Sequence, residues 1–558
     1  MLATARPGLD RLVCSPGHYV IAPFAAAAEL GLLSEDAAAT YGRNGSPLEA
    51  IGTERSPILD YTCGSLGQGL SAATGFALSD RFRGSDARTY AIVSDGELEE
   101  GQVWEAAMFA AHHRLDRLTV LLDANNSQVD GPVDTITTIE PIAEKWSAFG
   151  WHVQDVDGHD VDALRSALAA AHAETDRPSV VVGRTSTVHG LDCLPPDATG
   201  TSSSCPRTWR RPRPASSPRN WRRSMREPPY PTMLKPYGRA LLDLARRREE
   251  VLCLSGDLTR QCEIDLFQAE LPERFVHAGM AEAHMMGLAG ALARCGHIPF
   301  VHTFGVFATR RPYDQIANAI AYPNLPVRII GFMPGVSTPG GPSHQAIDDV
   351  ALMRALPNMT VLDVADAVEV SQVAEAVVDV PGPVYVRLKR GEIPVIFDDD
   401  HRLGLDRASV LTTGTDVALF ASGMMLAAAL AAERVLAQHG VSASVVNVPV
   451  IKPLDVATVQ SVAAESRVVV TAENHSVIGG LGSAVAETMA EAGIGRPLRR
   501  VGLRDTFAEG SLDGPYLFEK YGLSTQNLVD TAWRALGRTD APPVAPVAAA
   551  VAGEYSPV

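Results

Sequence analysis

The chain has 558 residues, 46% hydrophobic and 20% charged, with a formal net charge of −17. That is ordinary globular composition, long enough for about three domains, and its acidic balance argues against nucleic acid or an anionic membrane as a general partner. There is no apolar run of about 18 residues and no charged segment followed by an apolar leader, so neither membrane insertion nor secretion is indicated and a cytoplasmic location is expected.

Residues 11–31 read as a short strand, a turn at Pro16-Gly17 and a helix, with His18 at the junction. Such a histidine is more often a cap or core residue than a catalytic one. Residues 63–70, CGSLGQGL, form a glycine-rich turn entering an apolar helix, where the backbone can approach a ligand and a helix N-terminus offers N–H groups to anions. Alone, the pattern is weak.

Residues 89–131 are more informative. Ala91-Ile92-Val93 is a strand that breaks at Ser94-Asp95-Gly96, helical spacing follows from Leu98 to about His113, and residues 118–122 form a second buried strand. This strand–helix–strand unit delivers Asp95 and Asn125 to the carboxyl ends of parallel strands, where open α/β sheets bind ligands. Either residue alone is a turn or a helix cap; together they offer the oxygens a hard cation such as Mg²⁺ takes beside phosphates. Glu97, Glu99, Glu100 and Glu105 read in the first instance as a solvated acidic face.

The seven cysteines, at 14, 63, 193, 205, 253, 262 and 295, stand singly without metal spacing, which suits reduced thiols. Residues 188–229 hold eight Arg among many Pro and Ser with almost no periodic apolar pattern. They read as a linker or as out-of-frame coding text, not a packed domain. From residue 233 a helix, a strand and SGDLT lead into a second α/β unit, and from Asp416 a third begins. The tail from Asp540 reads as disordered.

SDGELEEG, followed about 30 residues later by NNSQVDG, resembles the thiamine-diphosphate motif of transketolases, with Ser94 where Gly is usual. The resemblance implies that Asp95, Asn125 and the Ser127 carbonyl bind Mg²⁺, with Ser94 and Gly96 beside the diphosphate. It implies that Gly64 and Leu66 contact the aminopyrimidine ring and that His18 faces the diphosphate and substrate. Glu100 and Glu105 would belong to a carboxylate relay at a dimer interface, while Glu97 and Glu99 keep the solvated reading. A family histidine expected earlier falls near Ile51. About 50 further residues ahead of this start, and a substrate histidine within 188–229, have no match.

GMAEAH resembles the pyrimidine-domain motif whose glutamate, here Glu282, stabilises the cofactor's imino tautomer for deprotonation of the thiazolium C2. By the same resemblance Phe304 and Phe307 stack near the pyrimidine ring, although core packing is the default for such aromatics. Asp257 lies near the cofactor, and His344 in GGPSHQ stands over the thiazolium as a catalytic, substrate-contacting residue. Leu234 and Met333-Pro334 replace common phosphate contacts, which leaves Arg311 and Arg390 as phosphate ligands.

The expected architecture is α/β: three open parallel or mixed-sheet domains, comprising a diphosphate-binding domain (1–187), the 188–229 linker, a pyrimidine-binding domain (230–398), a transketolase C-terminal-like domain (410–539) and a tail (540–558). The expected activity is transfer of a two-carbon ketol unit from a ketose or ketose phosphate to an aldehyde, on a modified sugar, by a homodimer with shared active sites, using thiamine diphosphate and Mg²⁺. A 2-oxo-acid-decarboxylating thiamine enzyme and a non-catalytic cofactor- or partner-binding homologue remain as alternatives.

Overall fold

The computed structural model describes residues 5–53, 55–190, 230–398, 400–511 and 513–544. Most of the 188–229 segment and of the tail therefore lie outside the described residues.

Six strands, β1 (Arg11–Pro16), β2 (Tyr61–Cys63), β3 (Thr89–Ser94), β4 (Leu118–Ala124), β5 (His152–Asp157) and β6 (Ser179–Arg184), form a parallel sheet in the order β2-β1-β3-β4-β6-β5. Runs such as SVVVGR and TYAIVS are almost continuously buried because helices cover both faces of a parallel sheet. The helices Gly69–Phe82 and Gly101–His112 pack Leu70, Ala73, Val103 and Ala107 against Val13, Val93 and Val120. The carboxyl ends of β1, β3 and β4 stand side by side, so His18, Asp95 and Asn125 leave the sheet along one edge.

The second sheet contains β8 (Val251–Ser255), β9 (Phe275–His277), β10 (Ile298–Phe304), β11 (Arg328–Phe332), β12 (Thr360–Asp363) and β13 (Val384–Leu388), all parallel. Beside it, β7 (Thr232–Leu234) pairs antiparallel with β14 (Glu392–Pro394). The third sheet joins β15 (Ser409–Val410), β16 (Val417–Ala421), β17 (Ala443–Asn447), β19 (Val468–Ser476) and β20 (Leu498–Leu503). Between β17 and β19 the chain sends β18 (Val450–Lys452) to pair antiparallel with β12. The third segment thus completes the second sheet to seven strands. Local periodicity cannot reveal such a strand, because three residues carry no alternation to read. Among the described residues no helix is long and apolar enough to cross a membrane.

Candidate active site

The carboxyl ends of the first two sheets lie against each other, joined by contacts of Glu99 with Met280 and of Glu100 with Arg311. From the first sheet, Asp95 follows β3 and is buried; its Oδ1 accepts the Gly96 N–H at 2.8 Å and its Oδ2 the Asn126 N–H at 2.6 Å. Burial, with added repulsion from Asp123, pushes its pKa up to about 7. Asn125 donates to the Tyr19 hydroxyl and to Asp123, each at 2.7 Å, while its Oδ1 accepts the Ser127 N–H at 2.8 Å. The Ser127 hydroxyl oxygen is buried without a hydrogen-bond partner among the described residues. A carboxylate after β3 that burial makes costly to ionise, with an amide oxygen and an unsatisfied hydroxyl on the loop after β4, are oxygen donors of the kind that fits a hard divalent cation.

Glu97 is fully buried, not solvated. Its carboxylate accepts from the Ser15 hydroxyl, from the Gly67 N–H at 3.2 Å, and from the Ser94 N–H and hydroxyl at 3.1 and 3.3 Å. It fastens the end of β1, the glycine-rich turn and the end of β3 together, and it turns the Ser94 side chain toward itself. Glu99 also departs from the solvated reading: it accepts the Met280 N–H from the second sheet's edge, and burial raises its pKa to about 7. Gly96 is required by a close approach, because a Cβ there would collide with the Met280 methyl group.

From the second sheet, Glu282 is buried at the N-terminal end of the helix Glu282–Arg294. Its Oε2 accepts from Arg311 at 2.6 Å, and the same guanidinium nitrogen also pairs with Glu100. Arg311 further donates to the Ser65 hydroxyl at 2.8 Å and the Leu66 carbonyl at 3.0 Å, with its guanidinium carbon 5.3 Å from the Phe307 ring centroid. The guanidinium thus links two carboxylates and the glycine-rich turn, at the position where the resemblance implies a phosphate ligand. Burial, with repulsion from Glu282, drives the Glu100 pKa upward, and Arg311 opposes this. Glu105 is exposed on the outer face of the helix Gly101–His112, away from this cluster.

Phe304 and Phe307 stack with centroids 6.2 Å apart, and His344 meets Phe307 edge-on at 5.1 Å. A Cβ on Gly64 would lie 2.8 Å from the His344 ring and 2.7 Å from Ile51, so the glycine-rich turn reaches His344 only without a side chain. Ile51 lines this wall with methyl groups where an imidazole was sought. His18 is accessible from the cleft, with Tyr19 edge-on at 4.8 Å. Surrounding protein lowers its basicity, and burial pushes His344 down to about 3, aided by neighbouring His18 and Arg311. Both rings are neutral near pH 7.

Asp257, at φ +62°, accepts from Gln128 Nε2 at 3.0 Å and from the Val129 and Asp130 N–H groups at 3.1 and 3.2 Å. It holds the loop that carries Asn125 and Ser127. The charge of Arg390 reaches Cys262 and Glu263. Leu234 is exposed, and Met333 is buried at φ +59°. Tyr19, Glu97, Asp123 and Asp130 were not singled out as site residues in the sequence. Only the position of Tyr19, next to His18, could have drawn notice.

Two α/β sheets meet at their strand ends, one presenting Asp95 and Asn125 and the other a buried glutamate, in a protein of the α/β class. Residues 4–203 match the family model described as transketolase, thiamine diphosphate binding domain; residues 230–395 match its pyrimidine binding domain and residues 406–528 its C-terminal domain. Transketolase-like protein 2 of Bos taurus is 33% identical over 520 residues, 87% of this chain and 83% of that protein. The 6-deoxy-6-sulfo-D-fructose transketolase subunit SqwH of a Clostridium species is 40% identical over 297 residues, 53% of this chain and 92% of that protein. A solved structure titled split gene transketolase, inactive beta4 tetramer, superposes with a TM-score of 0.51 at 40% identity, covering 55% of this chain and 98% of that one. The chain belongs to the transketolase family, and its first two domains are of the thiamine-diphosphate-binding kind.

Proposed function

We propose that the protein transfers a two-carbon ketol unit from a ketose to an aldehyde, as a homodimer using thiamine diphosphate and Mg²⁺. The observation that carries this reading is the buried Glu282 carboxylate, held beside Glu100 in a cleft that also contains Gly64, Phe307 and His344. Asp95, Asn125 and the Ser127 carbonyl would hold Mg²⁺ and, through it, the diphosphate. When bound, the cofactor supplies a carbon nucleophile for a sugar carbonyl and an electron sink for cleavage of the adjacent C–C bond.

The chain's own residues manage protons and access. Glu282 exchanges a proton with a ring nitrogen of the cofactor, which a carboxylate in hydrogen-bond reach can do and an amide cannot. His18 and His344, neutral at pH 7, can accept a hydroxyl proton from a sugar or donate a hydrogen bond to its oxygen. Ile51 removes one such partner, and Arg311 is committed to carboxylates. The substrate is then a modified ketose, and the likeness to the sulfofructose transketolase subunit supports a sugar carrying an anionic group other than phosphate.

The test is turnover of ketose donors, plain, phosphorylated and sulfonated, with an aldehyde acceptor, read by product mass. A product longer than the acceptor by two carbons supports the reading. Release of CO₂ from a 2-oxo acid without ketol transfer overturns it, as does cofactor binding without turnover of any donor.

A further inference from the structure

Arg311 touches five groups at the meeting of the two sheets: Glu282, Glu100, the Ser65 hydroxyl, the Leu66 carbonyl and the Phe307 ring. It is itself only partly accessible, and both carboxylates are buried. Burial and repulsion from Glu282 favour the protonated form of Glu100, and the Arg311 charge opposes both. A guanidinium stays charged, and its planar fork lets one end bind carboxylates while the other is fixed by a hydroxyl and a carbonyl.

We propose that Arg311 is the positioning residue of the proton-transfer site: it holds the Glu282 carboxyl opposite Glu100 and supplies the positive charge that faces both. This rests on the role given to Glu282 under the proposed function. The other titratable groups facing the cluster are Glu99, whose charge acts on Glu100, and His344, whose basicity Arg311 itself lowers. Glu99 adds negative charge and neutral His344 adds none, so Arg311 is the cation that offsets the pair. Its two neutral contacts fix where that charge sits: Ser65 and Leu66 belong to the glycine-rich turn of the first sheet, and Glu282 belongs to the second. Arg311 therefore joins the glycine-rich turn of the first sheet to the carboxyl of Glu282 in the second.

The experiment compares Arg311→Gln, which removes the charge, with Arg311→Lys, which keeps it and loses the fork. Folding is checked by circular dichroism and melting. In the cofactor-free protein, carbon-13 NMR of labelled glutamate carboxyls follows the titration of the pair. In the loaded protein, the pH profile of hydrogen–deuterium exchange at the cofactor's C2 follows its consequence. Loss of a neighbouring cation raises a carboxylate pKa by about one to three units, so Arg311→Gln should move both midpoints up by at least about one pH unit. Arg311→Lys should hold the midpoints while slowing exchange severalfold. Unmoved midpoints in a folded Arg311→Gln protein would overturn the inference, and so would an Arg311→Lys shift of a full unit. Absence of C2 exchange in the parent protein would instead refute the functional reading, leaving the carboxyl titration to judge Arg311.

Discussion

Asp130 and Asp257 anchor each other's chain across the junction of the first two sheets. Asp257 accepts the Asp130 N–H at 3.2 Å, while the Asp130 carboxylate accepts the Thr259 N–H at 2.9 Å, the Thr259 hydroxyl at 2.5 Å and His277 Nε2 at 2.9 Å. His277 Nδ1 accepts the Gly279 N–H, so Nε2 carries the proton it donates to Asp130. With Asp257 and His277 these groups have metal-ligand spacing, yet protein donors already engage their oxygens. The pair works as a clasp on the loop bearing Asn125 and Ser127. Asp257→Ala should speed amide hydrogen exchange across residues 125–131 and weaken cofactor binding about tenfold, without altering any expected metal ligand. Exchange unchanged in that loop would refute the clasp.

Replacing Asp95 or Asn125 with Ala should abolish Mg²⁺-supported binding of thiamine diphosphate, since each removes an oxygen that the diphosphate cannot replace. Titration calorimetry with and without Mg²⁺ reads this directly. Parent-like affinity in either variant would remove that residue from the metal site.

The positions of Asp95 and Asn125 after β3 and β4, and of Glu282 at the head of its helix, were legible in the sequence because the breaks between elements are local signals. Glu97 was not, since its burial depends on Ser15 and Gly67, which reach it from segments tens of residues away. Nothing in the acidic run itself marks Glu97 as buried. The Arg311 contacts were not legible for the same reason: RRPYDQ looks like surface, and its carboxylate partners at 100 and 282 are distant in sequence. The three α/β units follow from periodicity, whereas β18 crosses to the second sheet by a tertiary contact that no local pattern records.

A homodimer with shared sites predicts that the Glu100–Glu282 contact forms between subunits, whereas the structure makes it within one chain. Domain exchange between two copies would preserve each side-chain contact. Mixing an Asp95→Ala chain with a Glu282→Gln chain separates the two arrangements. With shared sites, one of the two sites in the heterodimer keeps both intact halves and activity returns. With sites inside each chain, every site is damaged and the mixture stays inactive. Tagged, purified heterodimers lacking activity would overturn the shared-site reading.

Glu473 is fully buried and accepts the Leu481 and Gly482 N–H groups at 2.7 and 2.9 Å, at the start of the helix Leu481–Glu491. Burial pushes its pKa up to about 7 from an ordinary value of 4.5. Between those values the folded chain keeps a proton that the unfolded chain has released. This contribution is therefore complete below about pH 4.5 and is lost as pH rises through about 7. Glu473→Gln should flatten the pH dependence of melting between pH 5 and 8 and gain roughly 1–3 kcal/mol over the parent at pH 8. Calorimetric melting at both pH values checks this, and an unchanged slope would show that Glu473 titrates as an ordinary carboxylate.

Glu282→Gln gives the sharpest test of the chemistry. The amide is nearly isosteric and can still accept from Arg311, so the fold and the diphosphate-dependent part of binding should persist. What is lost is the proton. A neutral amide cannot exchange one with the cofactor's ring nitrogen, and general acid–base contributions are typically on the order of 10²–10⁴ in rate. Hydrogen–deuterium exchange at C2 of the bound cofactor, read by quenched NMR, should therefore slow by about that factor while calorimetric affinity stays within severalfold of the parent. An exchange rate within about twofold of the parent would make Glu282 a structural residue at the head of its helix, with Arg311 serving only to satisfy its buried charge.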